Sequence, residues 1–329
     1  MSGKRHHILP RFLLKGFANQ QKGKEIYTWV YPKGKKPYTN NISKVSIDKH
    51  FYGKDGEINA DIEITNLEFK YALLIDELRN KTYLDKIVEV EKTLIPDFIA
   101  HLSIRTKHLR VSLEESTQKF LIQVENHFSD FNNYKKLLID KIKSEKPNTF
   151  LQPIYSEGSS FLDNRELELK EIPANVINSF KSLISETIRE THNKALAENP
   201  NPQIRAAMYQ ELRWFIYSSN EPLIIGDAGC LFEIDGYRRF KCFHDGTDKI
   251  KHIFLPIASN KILIGSHSQL SKIDVKTINE AIVKSSREFF ICSEYSEYYT
   301  GLLPLIGKES ELISQEEIEK IINESLNNL

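Results

Sequence analysis

Hydrophobic and polar positions alternate in the first part of the chain and then change to a helical period. Residues 24–53 alternate aromatic or β-branched residues with polar ones and contain Pro-Lys-Gly and Asn-Asn. This pattern predicts two or three short antiparallel strands. From about Ile62 the apolar positions have helical spacing, which predicts a helix-rich region to about Lys143. The positions that carry this period are Leu67, Tyr71, Leu74, Ile75 and Leu78.

The composition changes near the middle of the chain. Residues 144–164 contain prolines, serines and a glycine at low apolar density, which predicts a loop or linker. A helix is predicted from about Pro173 to Glu198, and short apolar or alternating runs within 213–266 predict strands. The last predicted elements are a helix at about Val275–Glu288, a strand at Phe289–Ser293 and a helix at about Gln315–Leu326.

The order of these elements predicts an α+β fold, with a mixed or antiparallel sheet made from the N- and C-terminal segments and a large helical insertion. We expect a basic β segment at 1–60, a helical region at 61–215, and an α/β segment at 216–329 that packs with the first segment in one composite domain. A chain of 329 residues that is 40% hydrophobic is long enough to bury a large core, which excludes disorder of the whole.

Cysteine usage and apolar runs indicate the compartment. The three cysteines are an odd number, lie far apart and form no Cys-x-x-Cys pair, so neither a disulfide framework nor a zinc ribbon is predicted. No run of about eighteen apolar residues occurs, and no apolar stretch follows the N-terminal charges. We expect a cytoplasmic protein without a membrane partner, and the pattern leaves its oligomeric state open.

A net charge of zero conceals an asymmetry between the ends of the chain. Residues 1–54 carry twelve Lys and Arg against two acidic residues, a balance of +10. The other 275 residues carry 33 basic and 43 acidic side chains, a balance of −10. Two interpretations stay open: the basic segment grips the phosphates of a nucleic acid while its aromatic residues stack on bases, or its cations cover outer strand faces that lie against an acidic helical body.

Several short motifs, taken together, resemble the prokaryotic family numbered 4238 among the domains of unknown function, and their order and rough spacing match over most of the chain. The motifs are HHILPRFLLKGFA at 6–18, FYG at 51–53, an acidic helix with Glu63 and Glu68, IRTKHLR at 104–110, PLIIGDAGCL at 222–231 and FLPIASNKILIG at 254–265. The resemblance implies an architecture and candidate positions but no reaction.

This chain contains one of the family's patterns in full and another only in part. The Arg-Thr pair that the family carries on a helix corresponds to Arg105-Thr106. The family's Ser-Asp-x-Pro turn corresponds to residues 226–229, which read Gly-Asp-Ala-Gly, so Asp227 is kept while the serine and proline are missing.

His6 and His7 are the first candidate site residues. Neighbouring residues of a strand point to opposite faces, so at most one of the two faces a given pocket, and His7 fits the family pattern better. A neutral imidazole is suited to metal ligation or to general base catalysis near neutral pH. The alternative is a histidine whose ring nitrogens bond backbone groups.

Asp227 is the second candidate, because it follows the apolar run at 223–225 and precedes a glycine-containing turn. Its carboxylate is expected at the end of a buried strand, where it would meet a metal or a substrate or close its own turn.

A polar stripe of His101, Arg105 and His108 is predicted at i, i+4 and i+7 on one helix. Arg105 is favoured over the histidines as a clamp for phosphate or carboxylate, although pairing with Glu68 or Asp227 to brace the fold is the simpler explanation. Glu63 and Glu68 lie about 140° apart on a helix, and Glu68 is the better third ligand unless it is simply solvated.

No P-loop, dinucleotide-binding, nucleophile-elbow or HExxH motif occurs. The leading hypothesis is a nuclease-like, metal-assisted phosphodiester hydrolase that acts on nucleic acid. His7, Glu68 and Asp227, with His6 beside them, would hold Mg²⁺ or Mn²⁺, and Arg105 would neutralise charge on the phosphate. The alternative hypothesis is a non-enzymatic module that binds nucleic acid or protein. A third is an enzyme that acts on a small phosphorylated ligand in a closed pocket.

Overall fold

The structure, a computed structural model, describes residues 5–53, 60–81, 87–144, 159–236 and 238–327. Most of the predicted linker at 144–164 therefore lies outside the described residues. The chain forms two compact units: unit 1 comprises Met1–Val111 and Glu190–Leu312, and unit 2 comprises Ser112–Arg189 and Ile313–Leu329.

Strands and helices occur in the described residues as follows. The strands are β1 (Arg5–His7), β2 (Gln20–Lys22), β3 (Glu25–Pro32), β4 (Tyr38–Asn41), β5 (Ile47–Lys49), β6 (Ile87–Val90), β7 (Arg213–Ser218), β8 (Ile225–Gly226), β9 (Leu231–Asp235), β10 (Phe240–Lys241), β11 (Lys249–Ala258), β12 (Lys261–Ser266) and β13 (Phe289–Cys292). The α-helices are α1 (Arg11–Leu14), α2 (Asp61–Asn80), α3 (Ile95–Ile104), α4 (Lys107–Ser129), α5 (Phe131–Ser144), α6 (Ser159–Asp163), α7 (Glu166–Glu198), α8 (Gln203–Gln210), α9 (Val275–Ser285), α10 (Glu297–Leu302) and α11 (Gln315–Asn327).

Strands from the two ends of the chain share one sheet, so the predicted α+β fold is confirmed. The five-stranded sheet has the order β2-β3-β13-β8, and β4 also pairs with β3. β13 pairs antiparallel with β3, with Ile291 opposite Val30, and both side chains are buried. Because β13 also pairs with β8, the residues just before β13 lie beside the end of β8.

The second large sheet is also antiparallel and has the order β10-β9-β11-β12-β7-β6. All six residues of β12 are buried, which explains its almost continuous apolar sequence. β6 departs from the sequence prediction, which placed residues 87–90 in a helix-rich region. Its Ile-Val-Glu-Val sequence is rich in β-branched residues and pairs with β7.

Helices α1, α2 and α3 contribute to the main hydrophobic core of unit 1. The predicted apolar period of α2 is its buried face, since Tyr71, Leu74, Ile75 and Leu78 are buried. At the end of this helix Arg79 donates from Nε to the carbonyl of Ile257 (2.8 Å) and from Nη1 to that of Phe12 (2.8 Å). These bonds fix α2 against β11 and α1.

Unit 2 consists of helical segments from 112–189 together with α11. Helix α7 begins at Glu166, earlier than predicted, and contains Pro173 in its interior. An ion pair between Lys181 and Glu125 joins α7 to α4 within this unit. In the described residues no helix is long and apolar enough to cross a membrane.

Candidate functional site

Asp227 directly follows β8, and its carboxylate binds the backbone of the segment that leads into β13. Oδ1 accepts the N–H of Arg287 (2.9 Å), and Oδ2 accepts the N–H groups of Glu288 (2.6 Å) and Phe289 (3.4 Å). Burial raises the pKa of the Asp227 carboxyl, while the nearby His108 and these backbone donors act in the opposite direction. Asp227 therefore holds two neighbouring strands of the five-stranded sheet together.

A cavity of about 130 Å³ lies at this point in unit 1. Its wall combines apolar side chains with both signs of charge. The residues that line it are Ile8, Lys44, Ser46, Ile47, Lys107, His108, Asp227, Arg287, Glu288 and Phe289. We call this space the Asp227 cavity. Its four basic side chains, if His108 is protonated, outnumber its two carboxylates.

His108 contributes a buried imidazole to the wall of the Asp227 cavity. Its Nε2 lies 2.7 Å from the carbonyl oxygen of Ser310, to which it donates, and 2.8 Å from Sγ of Cys242. Within the described residues Nδ1 of His108 is buried without a hydrogen-bond partner. Burial alone would lower the pKa of His108, but Cys242, Asp227 and the Ser310 carbonyl raise it to about 9. These neighbours favour the protonated form of the ring.

Lys107 and Ser46 complete the polar part of the cavity wall. Nζ of Lys107 pairs with Glu288 at 2.9 Å and with Asp48 at 3.8 Å. Ser46 has a φ of 54°, in the left-handed region that non-glycine residues rarely occupy. Its hydroxyl accepts the N–H of Leu9 at 3.1 Å, so the chain at residue 46 is held to the segment that follows β1.

Arg105 lies in a separate cluster and is bonded on several sides. Its Nε donates to the hydroxyl of Tyr52 (3.0 Å), Nη1 to Oε1 of Glu68 (2.6 Å) and Nη2 to the carbonyl of His7 (2.7 Å). Nη1 also lies 3.1 Å from Nε2 of His101. Arg105 is 1% exposed, so its guanidinium braces α2, α3 and β1 from within.

The predicted single helix through His101, Arg105 and His108 is wrong. Helix α3 ends at Ile104, Arg105 has φ −93° and ψ 6°, and α4 begins at Lys107. Because the helix is interrupted there, the stripe is broken and its residues meet different surroundings. Arg105 and His101 bond each other, whereas His108 lines the Asp227 cavity.

His6 and His7 point to opposite sides of β1, as neighbouring strand residues must. His6 is buried, and its Nδ1 accepts the N–H of Tyr52 at 3.0 Å. Burial, together with Arg11 and Arg105, lowers the pKa of His7 to about 4. The His7 carbonyl, rather than its ring, accepts from Arg105.

The predicted ligands are thus distributed between two places in unit 1. Glu68 and the main chain of His7 belong to the Arg105 cluster, Asp227 belongs to its own cavity, and Glu63 is exposed. In the described part of the chain no group of three or more His, Cys, Asp or Glu side chains has an arrangement that could hold a metal ion.

The cations of the basic segment, which we define as residues 5–49, are all exposed. Among the described residues none of them forms an ion pair, and Asp48, one of the two acidic residues of the segment, pairs with Lys107. Two exposed aromatic rings lie on or beside the five-stranded sheet: Tyr38 of β4 is 45% exposed, and Tyr295, which follows β13, is 52% exposed and packs against Trp29 with ring centroids 5.2 Å apart. The ten cations are Arg5, Arg11, Lys15, Lys22, Lys24, Lys33, Lys35, Lys36, Lys44 and Lys49.

Comparison with family models gives a match to a protein of unknown function, DUF4238, over residues 5–296. The chain belongs to the DUF4238 family. The match spans both the Arg105 cluster and the Asp227 cavity, and it ends before the last described helix α11. No curated protein and no solved structure matches the chain.

The departure of this DUF4238 chain from the family's Ser-Asp-x-Pro pattern has a local structural reason. A Cβ atom at Gly226 would overlap Oγ of Ser286, so a serine at 226 requires the Ser286 side chain to move or to be replaced. Gly229 has a φ of 75° and forms the turn after Asp227. The Asp227 carboxylate is held by backbone donors from the two residues before β13 and from its first residue, Phe289.

Sequence reasoning did not identify Lys44, Lys107 and Arg287 as residues near Asp227. Lys107 and His108 directly follow the Arg-Thr pair, and this position beside a family motif is the feature of the sequence that could have identified them. Lys44 and Arg287 reach the cavity only through sheet pairing between distant parts of the chain.

Proposed function

We propose that this protein binds nucleic acid without a catalytic metal, through the exposed cations of the basic segment. The observation that carries the proposal is that ten cations are exposed and unpaired within the described residues. A phosphate backbone is the partner that neutralises closely spaced lysines and arginines and gains affinity from the counterions it releases. The exposed rings of Tyr38 and Tyr295 supply surfaces on which bases stack.

The Asp227 cavity supports the same proposal because it extends the positive surface inwards. Lys44 belongs to the basic segment and also lines the cavity, as does His108. A cavity of about 130 Å³ is smaller than the pockets that hold drug-sized ligands. Its size and charge suit one phosphate group of a bound strand, held by Lys44 and the His108 cation.

In a metal-assisted hydrolase the carboxylates of Glu68 and Asp227 would have to bind a metal ion. The carboxylate of Glu68 is engaged by Arg105, and both oxygens of Asp227 accept backbone N–H groups. To hold Mg²⁺ or Mn²⁺ these carboxylates would give up bonds that now join structural elements. Binding needs no such rearrangement, so we propose binding as the function and retain cleavage as the alternative that the experiment separates.

Fluorescence anisotropy with labelled single-stranded DNA, single-stranded RNA and duplex DNA tests the proposal over a series of salt concentrations. We expect the logarithm of the binding constant to fall linearly with the logarithm of salt concentration. Binding should persist in EDTA, and the labelled strands should stay intact in Mg²⁺ or Mn²⁺. Cleavage that requires the metal and is lost in Asp227→Asn would support the hydrolase instead.

A matched pair of triple variants locates the binding surface. Replacing Lys33, Lys35 and Lys36 by Gln should weaken binding at least tenfold and reduce the salt slope by about 2 for a single strand, at about 0.7 per phosphate contact. The same change at Lys249, Lys272 and Lys276, which are exposed outside the basic segment, should alter affinity less than about twofold. Equal losses in the two variants would contradict a specific role for the basic segment.

A further inference from the structure

A second cavity in unit 1, of about 190 Å³, lies where β9, β10 and β11 meet the start of α9. Its wall combines apolar and polar side chains. Phe240, Phe254, Leu270, Ile273 and Ile278 line it, together with the polar residues Glu233, Arg239, His252, Lys272, Asp274 and Thr277. None of these residues lines the Asp227 cavity or belongs to the basic segment.

One histidine in this wall is oriented by a carboxylate. His252 lies opposite Glu233 in the register of β11 and β9, next to a bulge between Ile250 and His252. Nδ1 of His252 is 2.7 Å from Oε2 of Glu233, while Oε1 of Glu233 accepts from Nε of Arg239 at 2.7 Å. Both carboxylate oxygens of Glu233 are therefore hydrogen-bonded, and the His252 ring is held through Nδ1.

The bond to Glu233 determines which ring nitrogen of His252 is available. The hydrogen bond from His252, with the contact to Arg239 adding to it, lowers the pKa of Glu233, so this carboxylate is ionised and only accepts. Nδ1 must then carry the proton, and Nε2 has a free lone pair in the neutral imidazole. Among the described residues no protein group bonds Nε2.

Apolar side chains lie beside the ring of His252, whose side chain is 27% exposed. The ring of His252 lies 5.7 Å from the ring of Phe254, which is itself part of the cavity wall. An apolar cavity of about 150 Å³ holds a benzene molecule, so the space beside His252 is large enough for a single substituted ring. A ligand here would bury its ring against Phe240 and Phe254 and direct a donor at Nε2.

We propose that this cavity is a ligand site for a small molecule that has an aromatic or apolar ring and a hydroxyl group that donates to Nε2 of His252. Glu233 is the positioning residue, because it holds the imidazole in the tautomer that accepts. The site does not depend on nucleic-acid binding, since the two sets of residues are separate.

Phenol and toluene are matched probes, because they have the same ring and nearly the same size but only phenol has a hydroxyl. The full chain, labelled with ¹³C at Cε1 of histidine, is titrated with each compound and followed by NMR. We expect phenol to shift the His252 signal saturably and to bind about tenfold more tightly than toluene, as one hydrogen bond of about 1–1.5 kcal/mol implies. The signal of His267, which is exposed, should not shift saturably.

His252→Phe keeps an aromatic ring but removes the acceptor, so the preference for phenol should disappear, whereas His267→Phe should retain it. Far-UV circular dichroism reports whether each variant is folded. The comparison on the wild-type chain decides the question even if His252→Phe does not fold. Equal affinity for phenol and toluene, or no saturable shift of His252, would overturn the proposal.

Discussion

Replacing Arg105 by Met should destabilise unit 1 strongly, because the guanidinium is a buried cation that several groups share. Tyr52, Glu68, His101 and the His7 carbonyl all accept from it or lie within hydrogen-bond distance of it. Met has a similar length and keeps most of the apolar contact, so the loss reports the polar bonds. Removing one partner of a buried ion pair generally costs about 3–5 kcal/mol.

The structure places the expected loss near the middle of that range. The side chain of Glu68 is 27% exposed, so water partly replaces the lost partner and reduces the cost. The Tyr52 hydroxyl is buried, and losing its donor adds about 1 kcal/mol. We expect a decrease of about 4 kcal/mol in the free energy of unfolding for Arg105→Met. Glu68→Gln, which keeps an acceptor but loses the charge, should cost about 1–2 kcal/mol.

Urea unfolding followed by tryptophan fluorescence measures this loss, because both tryptophans, Trp29 and Trp214, lie in unit 1. Arg11→Met is the matched control: Arg11 is exposed and has no ion pair among the described residues, so its loss should stay within about 0.5 kcal/mol. A decrease below about 1 kcal/mol for Arg105→Met, with an unchanged m-value, would refute the bracing role. If that stable variant bound nucleic acid tenfold more weakly, the result would indicate that Arg105 contributes to binding instead of stability.

Three further changes test other contacts. His101 donates from Nδ1 to the Pro200 carbonyl, and burial lowers its pKa to about 3. Below about pH 6 its contribution should lower the free energy of unfolding by about 1.4 kcal/mol per pH unit. His101→Gln should reduce the slope by that amount in unfolding measured between pH 6 and 5, while His7, His192 and His244, whose pKa values are also lowered, keep their share. Gly226→Ala should cost about 1–3 kcal/mol in urea unfolding, because the added Cβ overlaps Ser286. Asp227→Asn leaves at least one backbone N–H without its acceptor and should lose about 1–3 kcal/mol, whereas a neutral result would show that those bonds contribute little.

The sequence predicted well those elements whose pattern depends on local contacts. The apolar face of α2 and the terminal helix follow from periodicity, because each helix buries one face. Strand β13 follows from its short apolar run, of which three consecutive residues are buried. The sharing of one sheet by β3 and β13 was also predicted from the order of elements. Strand β6 was missed because four residues are too short for a period to distinguish them from a helix.

The grouping of the candidate residues could not be predicted, because it depends on where helices end and on how distant strands pair. The interruption at Arg105 turns His108 away from His101, although their spacing suggests one stripe. Asp227 receives its backbone partners from residues sixty positions later in the chain, through the pairing of β8 with β13. No spacing within a single element contains that information.

The two polar clusters of unit 1 differ in whether their charges are balanced by the protein itself. In the Arg105 cluster the buried cation meets a carboxylate, a hydroxyl, a ring nitrogen and a carbonyl, so a bound anion would have to displace protein groups. In the Asp227 cavity the two carboxylates are already engaged, by backbone N–H groups and by Lys107, while Lys44 has no ion pair among the described residues. Because an uncompensated cation at a cavity wall gains most from an incoming anion, we expect the proposed phosphate to bind beside Lys44 and His108 rather than at the Arg105 cluster.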